Sequence, residues 1–150
     1  MKSSIITKKY YKDGKLLTGF TLIELMVVIA IITVLSGIIL FSVTQYINKG
    51  KDSNLAGNLV VLIPAGEVFY NGNNNSYQNF CTSDVVNNAF SQMPGGTIYY
   101  CVEDTINSFQ AWAACAREFT DNAKAYCVDS RGVKGSINNN LCNSNITQCP

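Results

Sequence analysis

From Leu25 to Val43 the chain runs nineteen residues without a charge, and about 20 apolar residues suffice to cross the hydrocarbon of a bilayer at 1.5 Å per residue. The run predicts a membrane-spanning helix, with a single acid, Glu24, at its mouth. Beyond it the pattern changes without ending. Leu55, Leu59, Leu62, Gly66 and Phe69 recur at alternating steps of four and three, so they share one helical face and read as core. Pro64 removes a backbone donor and crowds the turn before it, which predicts a bend between Val60 and Pro64. Gly37, Gly50 and Gly57 are weak points, each costing about 1 kcal/mol relative to alanine. From Phe20 to about Tyr70 such a helix is roughly 75 Å long. That exceeds what a globular domain of this size needs, so its exposed length must find partners.

The stretch NGNNNS, Asn71 to Ser76, ends the helix, because Asn and Gly supply turn conformations. Ser83 or Asp84 is placed to cap a short helix through Phe90, and PGG at Pro94 to Gly96 closes it as a loop. Three segments rich in aromatic and β-branched residues follow and predict strands: Thr97–Glu103, Phe109–Phe119 and Lys124–Ser130. The middle one is the least strand-like, since its alanines also suit a helix. The expected fold class is α+β, a long amino-terminal helix packed against a small antiparallel sheet.

Charge gives this layout a direction. Five lysines (Lys2, Lys8, Lys9, Lys12, Lys15) against Asp13 precede the apolar run, whereas six basic and nine acidic residues follow from Phe20 onward. A basic head before an apolar span reads as membrane topology, with the amino terminus in the cytoplasm and everything after Lys49 outside. All six cysteines, Cys81, Cys101, Cys115, Cys127, Cys142 and Cys149, lie in the distal half, as expected for a disulfide-rich domain in an oxidising compartment. With turns centred on Asn107–Ser108 and on Asp121, Cys101 is expected to face Cys115 and Cys115 to face Cys127, so that three cysteines would line one face. Only one neighbouring pair can then close, and Cys81 is the natural partner for the cysteine left over. The short loop between Cys142 and Cys149 makes that the expected single bridge. Zinc is not expected, because no ligand pair has finger-like spacing and the chain has no histidine.

A cleaved secretory signal would place small residues after the apolar core, and no Ala-x-Ala follows Leu40. A plain anchor gives no reason for Glu24. The order of residues at GFTLIE, Gly19 to Glu24, behind a lysine-rich leader and before the apolar helix, resembles the class III signal of type IV pilins and pseudopilins. The resemblance covers about Lys15 to Val43. It implies a leader at 1–19, cleavage between Gly19 and Phe20 by a prepilin peptidase, and methylation of the new amine of Phe20, giving N-methylphenylalanine. It further implies a helix over 20–70, membrane-spanning over 20–43, and a head over 71–150. The chain departs from the commonest pilins in lacking a mid-span proline, which leaves Ser36-Gly37 as the soft point, and in its number of cysteines. No acidic cluster suggests the calcium site of major secretion pseudopilins.

A carboxylate within hydrocarbon costs about 3 kcal/mol at a helix centre, and less near the interface, unless it is partnered. In pilin assemblies the proposed partner of the acid is the amine of the first mature residue on a neighbour, here Phe20 against Glu24. Pairing within one helix competes. The expected function is a structural subunit, cleaved and methylated, that polymerises into a pilus or a pseudopilus serving motility, adhesion, DNA uptake or type II secretion. Its partners are identical or related pilin subunits, the prepilin peptidase, the assembly machinery of the cytoplasmic membrane and the lipid bilayer. The alternative is a minor tip pilin or monomeric anchored adhesion module, using aromatics such as Tyr77, Tyr99, Tyr100 and Trp112, although in strands these are more often core. No basic patch accompanies them, so direct nucleic-acid binding is not expected. An enzyme is not expected either: the usual general base, histidine, is missing, and Glu103-Asp104 reads as a solvated turn. No cofactor is implied. The Asn-x-Ser/Thr matches at Asn74 and Asn145 arise readily in Asn-rich loops.

Overall fold

The computed structural model describes residues 20–150, the side chain of Phe41 excepted. The leader at 1–19, Gly19 included, lies outside the described residues. The chain divides into two units, Met1–Leu40 and Phe41–Pro150.

In the first unit the described residues from Leu22 onward belong to helix α1 (Leu22–Val60). Every large hydrophobic side chain from Phe20 to Leu40 is 49–88 % exposed. A helix apolar all round with nothing covering it suits a lipid or helical environment, and it is long and apolar enough to cross a membrane. The Ser36 hydroxyl donates to the Ile32 carbonyl at 2.6 Å, and α1 runs through Ser36-Gly37 without interruption.

In the second unit α1 ends at Val60 and α2 (Leu62–Gly72) begins two residues later. Pro64 has no N–H to give the Val60 carbonyl, so the break falls where its sterics require. Leu55, Leu59 and Leu62 are fully buried, Gly66 is buried and Phe69 packs against them, as the four–three spacing predicts. Asn74 and Asn75 take positive φ, 53° and 57°, just beyond the end of α2, an excursion asparagine tolerates. Helix α3 (Asp84–Ser91) follows.

The sheet is an antiparallel meander in the order β1 (Tyr99–Glu103), β2 (Trp112–Arg117), β3 (Lys124–Asp129), β4 (Lys134–Asn138). Alternation gives it two covered faces. Trp112, Ala114, Ala116 and Val128 pack on the helices with Phe80 and Tyr77. Ala113, Cys115, Ala125 and Cys127 pack under the carboxy-terminal tail through Cys142, Ile146 and Cys149. The long helix packed on a four-stranded antiparallel sheet is the expected α+β layout, with one strand more than expected. Strand β4 carries a single large apolar residue, Ile137, and as an edge strand it is half solvated, so its sequence lacks the hydrophobic alternation that marks the other three.

The cysteine pairing differs from the expectation. The bridges are Cys81–Cys101, Cys115–Cys142 and Cys127–Cys149, so Cys142 and Cys149 are not joined to each other. The cause is register. Cys115 does lie opposite Cys127, and the β1–β2 turn does centre on Asn107–Ser108, but that centre sets Cys101 against Ala114, one residue short of the expected Cys115, which faces Tyr100. A slip of one residue moves a side chain to the other face. Only two cysteines therefore share the tail-covered face, and each bonds the tail above it, while Cys101 reaches Cys81 on the helix side. Asp104 fixes this register. Its Oδ1 accepts from the N–H groups of Ile106 and Asn107 at 3.0 and 3.2 Å, and Asn107 Nδ2 donates to Oδ2 at 2.6 Å. Asp104 is thus buried, and the Asn107 amide, with those backbone donors, holds its carboxyl below the usual range. Glu103 accepts from the Asn79 and Cys81 N–H groups. The reading of these two acids as a solvated turn is corrected: both organise backbone.

Candidate functional site at the amino end of the helix

The residues singled out at the head of the apolar run meet in one turn. Thr21 precedes the first helical residue, and Glu24 sits in the first turn of α1. The Thr21 N–H and hydroxyl both donate to Glu24 Oε2 at 2.8 Å, and the Glu24 N–H donates to Thr21 Oγ1 at 3.3 Å. This is a reciprocal capping box, in which a hydroxyl and an acid three residues apart satisfy orphan N–H donors of the helix start. The carboxylate also lies at the positive end of the helix dipole. Glu24 therefore has a partner within its own chain, Thr21, that the expectation of a Phe20 amine did not include. The pattern was legible, since Thr-x-x-Glu before an apolar run is itself a capping signature.

The other residues of interest lie elsewhere. Phe20 is 88 % exposed at the start of the described chain. Tyr77 and Trp112 are buried in the core, whereas Tyr99 and Tyr100 are 46 % and 37 % exposed on β1. Two carboxylates missed by sequence reasoning hold the second unit together. Asp52 accepts from the Phe119 and Thr120 N–H groups, at 2.6 and 3.0 Å, and from the Thr120 hydroxyl, tying α1 to the β2–β3 turn. Asp129, fully buried, accepts from the N–H groups of Arg131, Val133 and Cys149 and pairs with the Arg131 guanidinium at 2.6 Å. Among the described residues no group of three or more His, Cys, Asp or Glu is arranged to hold a metal ion.

Residues 18–40 match the family model described as the prokaryotic N-terminal methylation motif. This is the class III signal of type IV pilins and pseudopilins, which supports a pilin-like precursor processed by a prepilin peptidase, and the helix it opens is long and apolar enough to cross a membrane. Neither a curated protein nor a solved structure matches the chain.

Proposed function

We propose that the chain is a structural subunit that is cut between Gly19 and Phe20, methylated on the Phe20 amine and packed through its apolar helix into an extracytoplasmic pilus or pseudopilus. Before assembly it rests in the cytoplasmic membrane, spanning it over 20–43. The leader lysines hold the amino end inside, and the head stands outside, where its three disulfides persist. The observation that carries this reading is an uncovered apolar helix that begins at an acid-bearing capping box within the methylation motif.

Removing the leader deletes its positive charge and frees the amine of Phe20. Both donations from Thr21 fall on Glu24 Oε2, which leaves Oε1 to accept from the Phe20 amine of an adjoining subunit. The cap thus orients the carboxylate, and the neighbour neutralises it in a medium where an unpaired charge is costly. In an assay with the peptidase and assembly machinery present, Glu24→Val is expected to insert and be cut but to fail to enter filaments. Glu24→Gln, which retains a capping side chain without the charge, is expected to fail likewise. Normal incorporation of Glu24→Val removes Glu24 from the mechanism.

A further inference from the structure

The foot of the second unit holds a polar pocket of about 410 Å³ between α1 and the β2–β3 turn, with Lys49, Asp52 and Ser53 on the helix side and Glu118, Thr120 and Tyr126 on the sheet side. Some of these groups are already engaged. Asp52 accepts from the Phe119 and Thr120 N–H groups and the Thr120 hydroxyl, and the Ser53 hydroxyl donates to the Lys49 carbonyl at 3.0 Å. Glu118 Oε1 accepts from the Ser136 hydroxyl at 2.7 Å, which leaves Oε2 open. Among the described residues the one ion pair joins Arg131 to Asp129, so the Lys49 ammonium and the Glu118 carboxylate line one pocket and neither has an ionic partner. The Tyr126 hydroxyl likewise has no hydrogen-bond partner among the described residues.

Opposite charges held apart in one pocket select a ligand that carries both signs. A purely cationic ligand leaves Lys49 opposed, and a purely anionic one meets Glu118 and Asp52. The position of the pocket along α1 indicates the source of such a zwitterion. Lys49 lies six residues beyond Val43, the end of the proposed span, which is about 9 Å along the helix, and a lysine ammonium at that height reaches the lipid headgroups. Tyr46, 71 % exposed, stands between the two with its ring centroid 5.9 Å from the Lys49 ammonium, and an amphipathic aromatic beside a cation suits a membrane interface. We infer that the pocket binds the headgroup of an aminophospholipid, its phosphate on Lys49 and the Tyr126 hydroxyl and its primary ammonium on Glu118 Oε2. A primary ammonium has N–H groups to donate to that carboxylate oxygen, whereas a quaternary one has none. The bound lipid sets the height and rotation of the head above the bilayer before assembly. The inference rests on the membrane-anchored reading and adds a ligand to it.

The test uses the oxidised full chain reconstituted in vesicles of phosphatidylethanolamine, phosphatidylglycerol and phosphatidylcholine in equal parts, followed by native mass spectrometry of the protein released from them. The expected result is selective retention of one phosphatidylethanolamine per chain. Lys49→Gln and Glu118→Gln, whose side chains both reach solvent, are each expected to fold normally and to lower that retention about tenfold, the loss of one charge-assisted contact. Lys51→Gln is expected to retain the lipid as the parent does, because the Lys51 ammonium stands over the Phe119 ring, 4.9 Å from its centroid, and not in the pocket wall. Soluble O-phosphoethanolamine is expected not to displace the lipid, whose acyl chains hold it in the bilayer; displacement identifies a free metabolite as the ligand and overturns the lipid assignment. Equal retention of the three lipids, unchanged retention in either pocket variant, or an equal loss in Lys51→Gln overturns the inference while leaving the anchored reading intact. A chain that does not enter the vesicles overturns both.

Discussion

Gly66 and Gly57 are both helical glycines, and the structure assigns alanine opposite effects at the two positions. A Cβ on Gly66 would lie 2.8 Å from Trp112 Nε1, 2.9 Å from Cζ2 and 3.1 Å from Cε2. The indole cannot retreat: it is fully buried, with the Phe80 ring 4.7 Å and the Tyr77 ring 6.4 Å from it, centroid to centroid. Overpacking of this kind costs about 1–3 kcal/mol, and the helical preference of alanine over glycine returns about 1 kcal/mol. Because the indole cannot retreat, the upper part of the overpacking range, about 2–3 kcal/mol, applies, and Gly66→Ala is expected to destabilise by about 1–2 kcal/mol net. Gly57→Ala, whose Cβ meets nothing, is expected to gain up to about 1 kcal/mol. At about 4 °C per kcal/mol for a head of this size, the two variants separate by roughly 4–12 °C. The assay is thermal unfolding of the oxidised full chain in detergent, followed by fluorescence of Trp112, the one tryptophan. A Gly66→Ala protein as stable as the parent would refute the wedging of Trp112 against α2.

Two further outcomes follow from the buried acids and phenols. Asp129→Asn removes the charge that three backbone N–H groups and Arg131 share and should lower stability by about 3 kcal/mol in denaturant unfolding; Arg131→Ala, whose side chain is half exposed, should cost clearly less, and equal costs would contradict the account of the tail latch. Tyr77 has its phenol pushed up to about 12, first by burial and then by the hydrogen bond it donates to Glu67 Oε1 at 3.1 Å. The folded state thus keeps a proton that the unfolded chain loses near pH 10, so stability is untouched below that value and falls as pH rises from 10 towards 12. Tyr77→Phe should flatten that fall in alkaline unfolding curves, and an unchanged slope would contradict it.

What could be read in the sequence followed from how local each signal was. The long apolar helix and the Leu55–Phe69 stripe depend on local pattern and the break near Pro64 on one missing donor, and the structure contains all three. The disulfide pairing depended on strand register to the single residue: the turn at Asn107–Ser108, held by Asp104, sets Cys101 against Ala114 and not Cys115, which puts Cys101 on the other face and leaves Cys142 and Cys149 to bond the sheet. Strand β4 was hidden because an edge strand under a polar tail needs few apolar residues. At the amino end Glu24 stood out by its charge, while Thr21, the residue that holds it, becomes legible only when the Thr-x-x-Glu spacing is taken as a capping box.

The central claim is that the chain becomes a filament subunit beginning at Phe20. Mass spectrometry of filaments sheared from cells that express it with a prepilin peptidase and an assembly machine tests this most directly. The account predicts a fibre of chains starting at Phe20, with one methyl group on the amine and three disulfides. An intact 150-residue chain that remains in the membrane and never enters a fibre would contradict it.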